Sequence, residues 1–517
     1  MIPGDDRRNG TARVDLPSPE TGSGAAMASE ARASVRNAGL LVVQWGAQVA
    51  GAFLFAALVP RLMGPETYGR YALISSLSLW FILAGGLGIQ AVISRYVPGL
   101  AGDRAGLARF FGRLFTVRVG GGFLAACLFL LLTALWFPDL DRTALFWVAC
   151  AVGVQSVTRL FFSLFLGLNR AALWGMGQVV RGWTVLALLV PGYLWGGLQG
   201  ACLGLLAAEL VVLALGLWWA RPHLAFARPR LDVWRLAPYL RFGLTVFASQ
   251  LLVAGAQRSG DALVRVVSGD YQQVGFFGLA YSVYMILALA VSQVTWSFMP
   301  LFTSLLARQR PDLLCAWVER LLKGLAVAGV LAVYGLLFLG DDLVPLVFGE
   351  VYRPVGANLV PLTASLLLLA LTNVGGLLAL VYERPRVALK AAALQLVAFW
   401  ALAPVLIAWQ GGWGACLAVC IATAVDAVYF SRTVGRQAAY SLRGWWLAIA
   451  WAALFLPVLA LRGSWGVNAG LFGVFVAAYY GTLRWRQVLT PGEISAVMEV
   501  IRRGMPGTKA PEPDGWA

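Results

Sequence analysis

The chain has 517 residues, of which 60% are hydrophobic and 12% are charged, and its mean hydropathy is +0.76. So little polar surface cannot cover a soluble globule, and the composition therefore predicts an integral membrane protein. The formal net charge of +16 is spread in short clusters between apolar runs, which is typical of loops held against an anionic leaflet. We therefore expect membrane lipids as partners and no nucleic acid.

The first 34 residues contain no apolar stretch. Residues 1–34 carry Pro, Gly, Ser and mixed charges, so we expect a disordered cytoplasmic tail there. Beyond it, apolar windows long enough to cross a bilayer alternate with short polar segments. About fourteen transmembrane helices are predicted, near residues 37–59, 71–93, 114–137, 143–167, 175–195, 198–220, 242–267, 276–299, 324–340, 356–382, 387–409, 412–431, 445–461 and 466–483.

The predicted spans fall into two similar groups. Residues 35–220 hold six spans, residues 242–431 hold six more, and a basic cytoplasmic linker at 221–241 separates them. The last two spans lie within residues 432–485, and residues 486–517 form a cytoplasmic tail with a short amphipathic helix. The predicted fold is therefore all-α and polytopic, with two pseudo-symmetric six-helix lobes around a central cavity and two C-terminal helices.

A short polar turn between the first two spans has a counterpart later in the chain. Pro60 and Gly64 end the first span, because proline cannot donate its amide and glycine adopts turn conformations freely. At one fixed offset, Gly64 corresponds to Gly269 and Leu58 corresponds to Leu263. With the N-terminus inside, most basic residues fall in cytoplasmic segments, so both termini are predicted to be cytoplasmic.

Three stretches of the sequence resemble a known family. They are the turn from Pro60 to Tyr71, the stretch from Gln273 to Tyr281, and the stretch from Phe348 to Tyr352. In order and spacing they are similar to the polysaccharide flippase branch of the multidrug/oligosaccharidyl-lipid/polysaccharide (MOP) exporter superfamily, which includes O-antigen flippases. The chain departs from the commonest family pattern in its two extra spans and in Asp261-Ala262, where an Asp-Arg pair is frequent.

The resemblance implies a function. It implies a two-lobed helical transporter of the bacterial inner membrane, without enzymatic activity or cofactor. Its cargo would be a lipid-linked oligosaccharide, usually on undecaprenyl diphosphate, moved to the outer leaflet by alternating access for surface polysaccharide and lipopolysaccharide biosynthesis. Other polysaccharide assembly proteins would be its partners.

The seventh predicted span carries the densest set of polar residues. Arg258, Asp261 and Arg265 follow helical spacing on one face, and Gln250 and Gln257 precede them on the same span. A charge at bilayer depth needs water, a partner or a cavity. Two interpretations are open. The set is either a cationic strip that binds a diphosphate in the central cavity, because guanidinium matches phosphate oxygens, or an internal ion-pair ladder.

Other polar residues also lie inside predicted spans. Gln44 and Gln48 share a face of the first span and are predicted either to line the cavity or to hold neighbouring helices together. Glu209 and Asp426 are lone acids in the sixth and twelfth spans. Each is a candidate to carry a proton or bind a sodium ion during coupling. The alternative for these acids is a charge paired with Arg159 or exposed to a water-filled crevice.

The remaining classes of function are separated by what the chain contains. No Gly-x4-Gly-Lys-Ser/Thr loop occurs, so an ATP-driven pump is excluded for this chain. Cys416 and Cys420 lie one turn apart without His or acidic neighbours, so no metal site is expected. A membrane-embedded polymerase or glycosyltransferase would need acids on a sizeable outer loop. A cation-coupled multidrug exporter of the same superfamily stays open, although the cationic strip favours an anionic cargo.

Overall fold

Helices account for almost all of the chain that this computed structural model describes, which is residues 24–100, 103–168, 170–222 and 232–486. Within these ranges there is no β-strand, and eleven helical segments are long and apolar enough to cross a membrane. The predicted all-helical, multi-pass membrane fold is therefore confirmed. The helices are α1 Gly24–Ala84, α2 Ile89–Tyr96, α3 Arg104–Trp136, α4 Arg142–Gly167, α5 Ala171–Ala220, α6 Ala237–Arg258, α7 Gly260–Ser268, α8 Tyr271–Ser297, α9 Met299–Ala307, α10 Pro311–Phe348, α11 Val355–Val381, α12 Pro385–Ala438, α13 Arg443–Ala453 and α14 Trp465–Trp485.

Three of the long helices reverse direction part of the way along. The segments in α1, α5 and α12 have 41, 49 and 54 residues, which is roughly 60 to 80 Å of helix against a hydrocarbon core of about 30 Å. Non-helical backbone interrupts them at Gly64, at Gly196–Gly197 and at Gln410–Gly411. In α5 the two limbs approach so closely that a Cβ on Gly192 would overlap the carbonyl oxygen of Gly200. These helices are therefore hairpins with two limbs each.

The turns of the two predicted repeats have matching backbone conformations. Gly196 and Gly197 have φ/ψ values of −139°/25° and 57°/−139°, and Gln410 and Gly411 have −139°/22° and 56°/−133°. Gly64 and Gly269, which the sequence pairs, share a positive φ of 71° and 70° but differ in ψ, which is 164° at Gly64 and 2° at Gly269. The matching turns at Gly197 and Gly411 support an internal repeat of α1 to α5, the N-terminal half, in α6 to α12, the C-terminal half. The number of crossings and their orientation stay predictions.

The apolar core that both halves share is largest at one end of the bundle. At the end that carries Gly64, called the Gly64 end, Val59 and Tyr68 of α1 lie in one cluster with Phe276 of α8 and Tyr352. Away from this end, one cluster has its buried members between residues 302 and 448, and another between residues 89 and 236. The halves therefore share one large cluster at the Gly64 end, whereas towards the other end α6 packs into the core of the N-terminal half through Tyr239, Leu240 and Phe242, and α9 to α13 form a separate cluster.

Close backbone contact holds the halves together at the Gly64 end. The second limb of α1 packs on the start of α8 so tightly that a Cβ on Gly69 would overlap the carbonyl oxygen of Tyr271. Nearby, the hydroxyl of Tyr352 donates to the carbonyl oxygen of Pro60 at 2.9 Å. Only glycine at position 69 permits this approach, because any other residue would push the two helices apart.

Several element boundaries differ from the sequence-based expectation. Helix α1 already begins at Gly24, so part of the predicted disordered tail is helical. Helix α6 begins at Ala237, inside the predicted linker, because Pro238 near its start is compatible with the first helical turn. Helix α10 runs without interruption from Pro311, well before the ninth predicted span. The amphipathic helix predicted in the C-terminal tail lies outside the described residues.

Candidate functional site

A polar cavity of about 210 Å³ lies within the N-terminal half, between α2, α4 and α5. Helix α4 contributes Gln155, Arg159 and Ser163, which share one face because they are four residues apart. Gln90 of α2 lines the cavity from a second side. Helix packing thus brings together polar side chains that are distant in sequence.

Both limbs of α5 reach the cavity because the helix doubles back at Gly197. The first limb contributes Trp174, Gln178 and Arg181 at helical spacing, and the second contributes Glu209. Opposite charges therefore meet across the hairpin. Nε of Arg181 donates to Oε1 of Glu209 at 2.7 Å, and Nη2 lies 2.7 Å from the same oxygen.

The ion pair of Glu209 with Arg181 leaves one oxygen of Glu209 without a hydrogen bond and leaves Arg159 without an ion pair among the described residues. Glu209 is only 1% exposed, and its Oε2 has no hydrogen-bond partner among the described residues. The sequence suggested Arg159 as its partner, but the structure places Arg181 there. Arg159 thus remains without an ion pair in the described part of the chain. The cavity wall carries two arginines and a single acid.

Two more arginines lie close to the cavity. Arg258, at the end of α6, is near enough to Arg159 for the two guanidinium groups to repel each other. Arg118 of α3 is buried, also repels Arg159, and donates from Nε to the carbonyl oxygen of Ser156 at 2.6 Å. Neither Arg118 nor Arg258 forms an ion pair with any residue that the structure describes. The interior of the N-terminal half and its border with α6 is therefore strongly cationic.

The predicted strip on the seventh span is divided between two helices. Helix α6 ends at Arg258 and α7 begins at Gly260, with a bend at Ser259. The carbonyl oxygen of Arg258 accepts from Nε1 of Trp80 at 3.5 Å, which ties this bend to α1. Asp261 points towards α8, where its Oδ1 would contact a Cβ on Gly278 at 3.3 Å. That oxygen has no hydrogen-bond partner within the described ranges.

Arg265 makes its contacts with residues other than Arg258 and Asp261. Its Nη2 donates to Oδ2 of Asp139 at 2.6 Å, its Nη1 donates to the carbonyl oxygen of Gly269, and its guanidinium carbon lies 4.2 Å from the Tyr271 ring centroid. Asp139 belongs to the loop between α3 and α4, so this ion pair joins the two halves at the Gly64 end. In this state Arg265 is a contact between the halves.

The four predicted glutamines lie on α1 and α6. Nε2 of Gln44 donates to the carbonyl oxygen of Ala172 at 3.0 Å, so Gln44 joins α1 to the start of α5. Gln48, Gln250 and Gln257 have exposed side chains. The cavity found in the N-terminal half does not include any of these four among its described lining residues. Their role in binding stays a prediction.

Asp426 lies in the C-terminal half, on the second limb of α12. It is 7% exposed, and its Oδ1 is buried without a hydrogen-bond partner among the described residues. Glu209 already has an arginine partner, whereas Asp426 forms no ion pair with the residues that the structure describes. In the described ranges, no three His, Cys, Asp or Glu residues come together as a metal site.

Sequence reasoning missed most of the cavity. Gln155, Gln178 and Arg181 were not singled out, although Gln155 lies four residues before Arg159 and Gln178 lies three before Arg181. That helical spacing of polar residues inside apolar spans was the available signal. What the sequence does not show is that α4 and both limbs of α5 direct these faces at one another.

Comparison with solved structures gives the fold its class. The chain is similar to a lipid II flippase MurJ in an inward closed conformation, with a TM-score of 0.65 and 13% identity over 87% of this chain and 99% of that one. It is also similar to an inward-facing multidrug resistance MATE family transporter of the MOP superfamily, with a TM-score of 0.60 and 16% identity over 77% of this chain and 94% of that one. The protein therefore has the fold of a MOP transporter.

Sequence comparison adds the family. The chain belongs to the polysaccharide biosynthesis protein family, whose model matches residues 34–306, more than half of its length. The resemblance seen in the three sequence stretches is thereby confirmed. No curated protein matches this chain.

Proposed function

We propose that the protein translocates a lipid-linked oligosaccharide of the polyprenyl-diphosphate type across the bacterial cytoplasmic membrane by alternating access. The transport would serve the synthesis of a cell-surface polysaccharide. Membership of the polysaccharide biosynthesis family and the MOP fold support the class of function. The cargo is inferred from the charge of the interior.

One observation carries the choice of cargo. Arg118, Arg159 and Arg258 have no ion pair among the described residues, and the one acid of the cavity, Glu209, is already paired with Arg181. Glu209 also attracts Arg159, and Asp261 attracts Arg258, but these two acids face four arginines. An excess of guanidinium charge inside a membrane protein is costly, so the arginines mark a site for an anion. A diphosphate offers several oxygens to such groups in two-point geometry.

The distribution of the core suits alternating access. The halves share a large apolar cluster and an ion pair at the Gly64 end, whereas towards the other end α6 packs on the N-terminal core and α9 to α13 form a separate cluster. With both termini in the cytoplasm, such an arrangement would admit cargo from the inside. Arg258 would bind the diphosphate, and Asp261 would tune its charge. Opening of the Gly64 end would free Arg265 to join them, with Gln44, Gln48, Gln250 and Gln257 along the route.

Of the two buried acids, Asp426 is a better candidate for ion coupling than Glu209. Asp426 has an unpartnered carboxylate oxygen and no cation beside it among the described residues, so it is the better candidate to take up a proton or a sodium ion. Glu209 holds Arg181 in place, which suits a structural or cargo-binding role better than cation uptake.

Gene loss followed by lipid extraction tests the proposal. We expect polyprenyl-diphosphate oligosaccharide to accumulate on the inner leaflet, with less surface polymer and unchanged sensitivity to drugs. Unchanged lipid intermediates together with altered drug resistance would favour a multidrug exporter, whose fold this chain shares. Accumulation of unpolymerised lipid-linked units on the outer leaflet would favour a polymerase.

A further inference from the structure

We infer that the cavity between α2, α4 and α5 is a binding subsite for a single sugar ring of the transported glycolipid, an inference that rests on the proposed function. Arg258, at the end of α6, would bind the diphosphate, and the cavity would bind the sugar attached to it. Nothing in the sequence pattern of the seventh span, and nothing in the family match, assigns a role to this cavity.

The amide of Gln155 has no partner within the described part of the protein. Gln155 is 4% exposed, lines the cavity, and makes no hydrogen bond to any residue that the structure describes. Its two donor hydrogens and its acceptor oxygen are therefore available to whatever fills the cavity. Gln90 and Gln178 likewise form no hydrogen bond through their side chains within the described ranges, and both line the cavity. Three side-chain amides therefore line the cavity and can hydrogen-bond to a ligand that both donates and accepts.

One carboxylate oxygen of Glu209 also has no partner. Oε1 of Glu209 accepts from Arg181, while Oε2 is buried and has no partner among the described residues. An ionised carboxylate is an acceptor only, so a hydroxyl donor would satisfy Oε2 once the Glu209 side chain turns to present it to the cavity. The hydroxyls of Thr158 and Ser163 donate to backbone carbonyls of their own helix, at 3.0 and 2.7 Å, so neither fills that role. A sugar supplies hydroxyls that donate and accept.

The size and apolar wall of the cavity also suit a sugar. Its volume of about 210 Å³ accommodates a single sugar ring. Phe162, Trp174 and Val212 form an apolar part of the lining. A pyranose presents both C–H faces and hydroxyl edges, so a wall of mixed character is complementary to it.

Charge distinguishes a sugar from a phosphate in this cavity. Glu209 lies in the wall and already occupies Arg181, so a phosphate there would face a carboxylate at close range. Arg258 lies outside the cavity, near Arg159, and has no acid paired with it in the described part of the chain. The diphosphate therefore suits Arg258, and the adjoining sugar suits the cavity on the far side of Arg159.

The test is equilibrium binding to the full-length protein in lipid nanodiscs. The probes are radiolabelled undecaprenyl diphosphate and the same lipid carrying one N-acetylglucosamine or one galactose. We expect the wild type to bind at least one sugar-bearing lipid more tightly than the sugar-free lipid. Gln155→Met, which keeps the side chain's length but removes its polar atoms, should weaken only the sugar-bearing lipid, by about 2- to 12-fold, the worth of one neutral hydrogen bond.

Two further variants make the result decisive. Gln178→Met, at a less buried position of the same wall, should act like Gln155→Met, and it covers the case in which Gln155→Met fails to fold. Gln437→Met, at an exposed position near the end of α12, should change neither affinity. Equal affinity of the wild type for all three lipids, or equal losses for all three in both cavity variants, would mean that the cavity holds water only. Failure of the wild type to bind any of them would instead overturn the proposed function.

Discussion

The ion pair between Arg265 and Asp139 connects α7 of one half to a loop of the other. Its side chains are 20% and 41% exposed, so water screens the attraction, and a pair of this kind contributes about 0.2 to 1 kcal/mol. That is small for folding. It is enough to bias an equilibrium between two nearly balanced conformations by up to about fivefold, because each 1.4 kcal/mol is a factor of ten.

Neutralising either partner should open the Gly64 end. In Asp139→Asn or Arg265→Gln, we expect spin labels at the exposed positions Arg142 and Gln272 to shift towards longer distances. The double variant should resemble either single variant, because both remove the same interaction. Additive shifts in the double variant would mean that the two residues act independently. Asp312→Asn, at an ion pair on α10 far from this contact, is the control.

The same contact predicts a response to acid. Burial alone would raise the pKa of Asp139, but neighbouring Tyr271 and the guanidinium of Arg265 stabilise the carboxylate more strongly and hold its pKa below its ordinary value. Because the folded-state pKa is lowered, the stabilisation is complete above the ordinary value of about 3.9 and is lost as the pH falls through the lower one. The label distance should therefore stay constant from about pH 8 to pH 5 and lengthen below about pH 4.

Two variants test whether Asp139 is the group that causes this pH dependence. Asp139→Asn should make the label distance independent of pH, whereas Asp141→Asn should retain the transition, since Asp141 bonds to Gln199 and the start of α4 within its own half. A transition centred between pH 6 and pH 7 would show that a different group controls the Gly64 end.

At the scale of elements, the hairpin turns depend on single backbone conformations. Gly197 has a φ of 57° and Gly196 has a φ of −139°, and a Cβ would meet nothing within 4 Å at either position. The two glycines therefore differ in backbone conformation and not in the space around them. This isolates the cost of a positive φ combined with a ψ of −139°, a sparsely populated conformation that costs roughly 1 to 3 kcal/mol for a residue with a Cβ.

Gly197→Ala should consequently destabilise the protein more than Gly196→Ala. We expect the apparent melting temperature in detergent to fall in the first variant and to change little in the second. Because α5 places Arg181 and Glu209 on opposite limbs, Gly197→Ala should also disturb the cavity. Equal melting temperatures for the two variants would contradict a left-handed backbone conformation at Gly197.

Local signals predicted elements better than contacts between them. The turn at Gly64 could be predicted because Pro60 and Gly64 act on the backbone at their own positions. The partner of Arg265 could not, since Asp139 lies 126 residues away and only the packing of the two halves brings it close. Glu209 is a similar case. The order of the predicted spans allows several arginines to pair with Glu209. The hairpin of α5 brings Arg181 next to it.

For the whole molecule, the cluster shared at the Gly64 end is larger than the contact that α6 makes with the N-terminal core beyond it, and this asymmetry gives the direction in which we expect the interior to open. The assignment of that direction to the cytoplasm depends on the distribution of basic residues. Reporter fusions after Gly64, Gly269 and Gly349 should all report an external location. A cytoplasmic signal at any one of them would contradict the repeat and the predicted orientation together.

The central claim is that a cationic interior moves a lipid-linked glycan, and transport by the purified protein in liposomes tests it most directly. With a labelled undecaprenyl-diphosphate oligosaccharide, we predict transport by the wild type, weaker transport by Arg258→Lys, and none by Arg258→Gln, each normalised to inserted protein. Lysine keeps the charge but loses the two-point geometry of guanidinium, and glutamine loses both. Wild-type transport by Arg258→Gln, or no transport of this lipid by the wild type, would contradict the account.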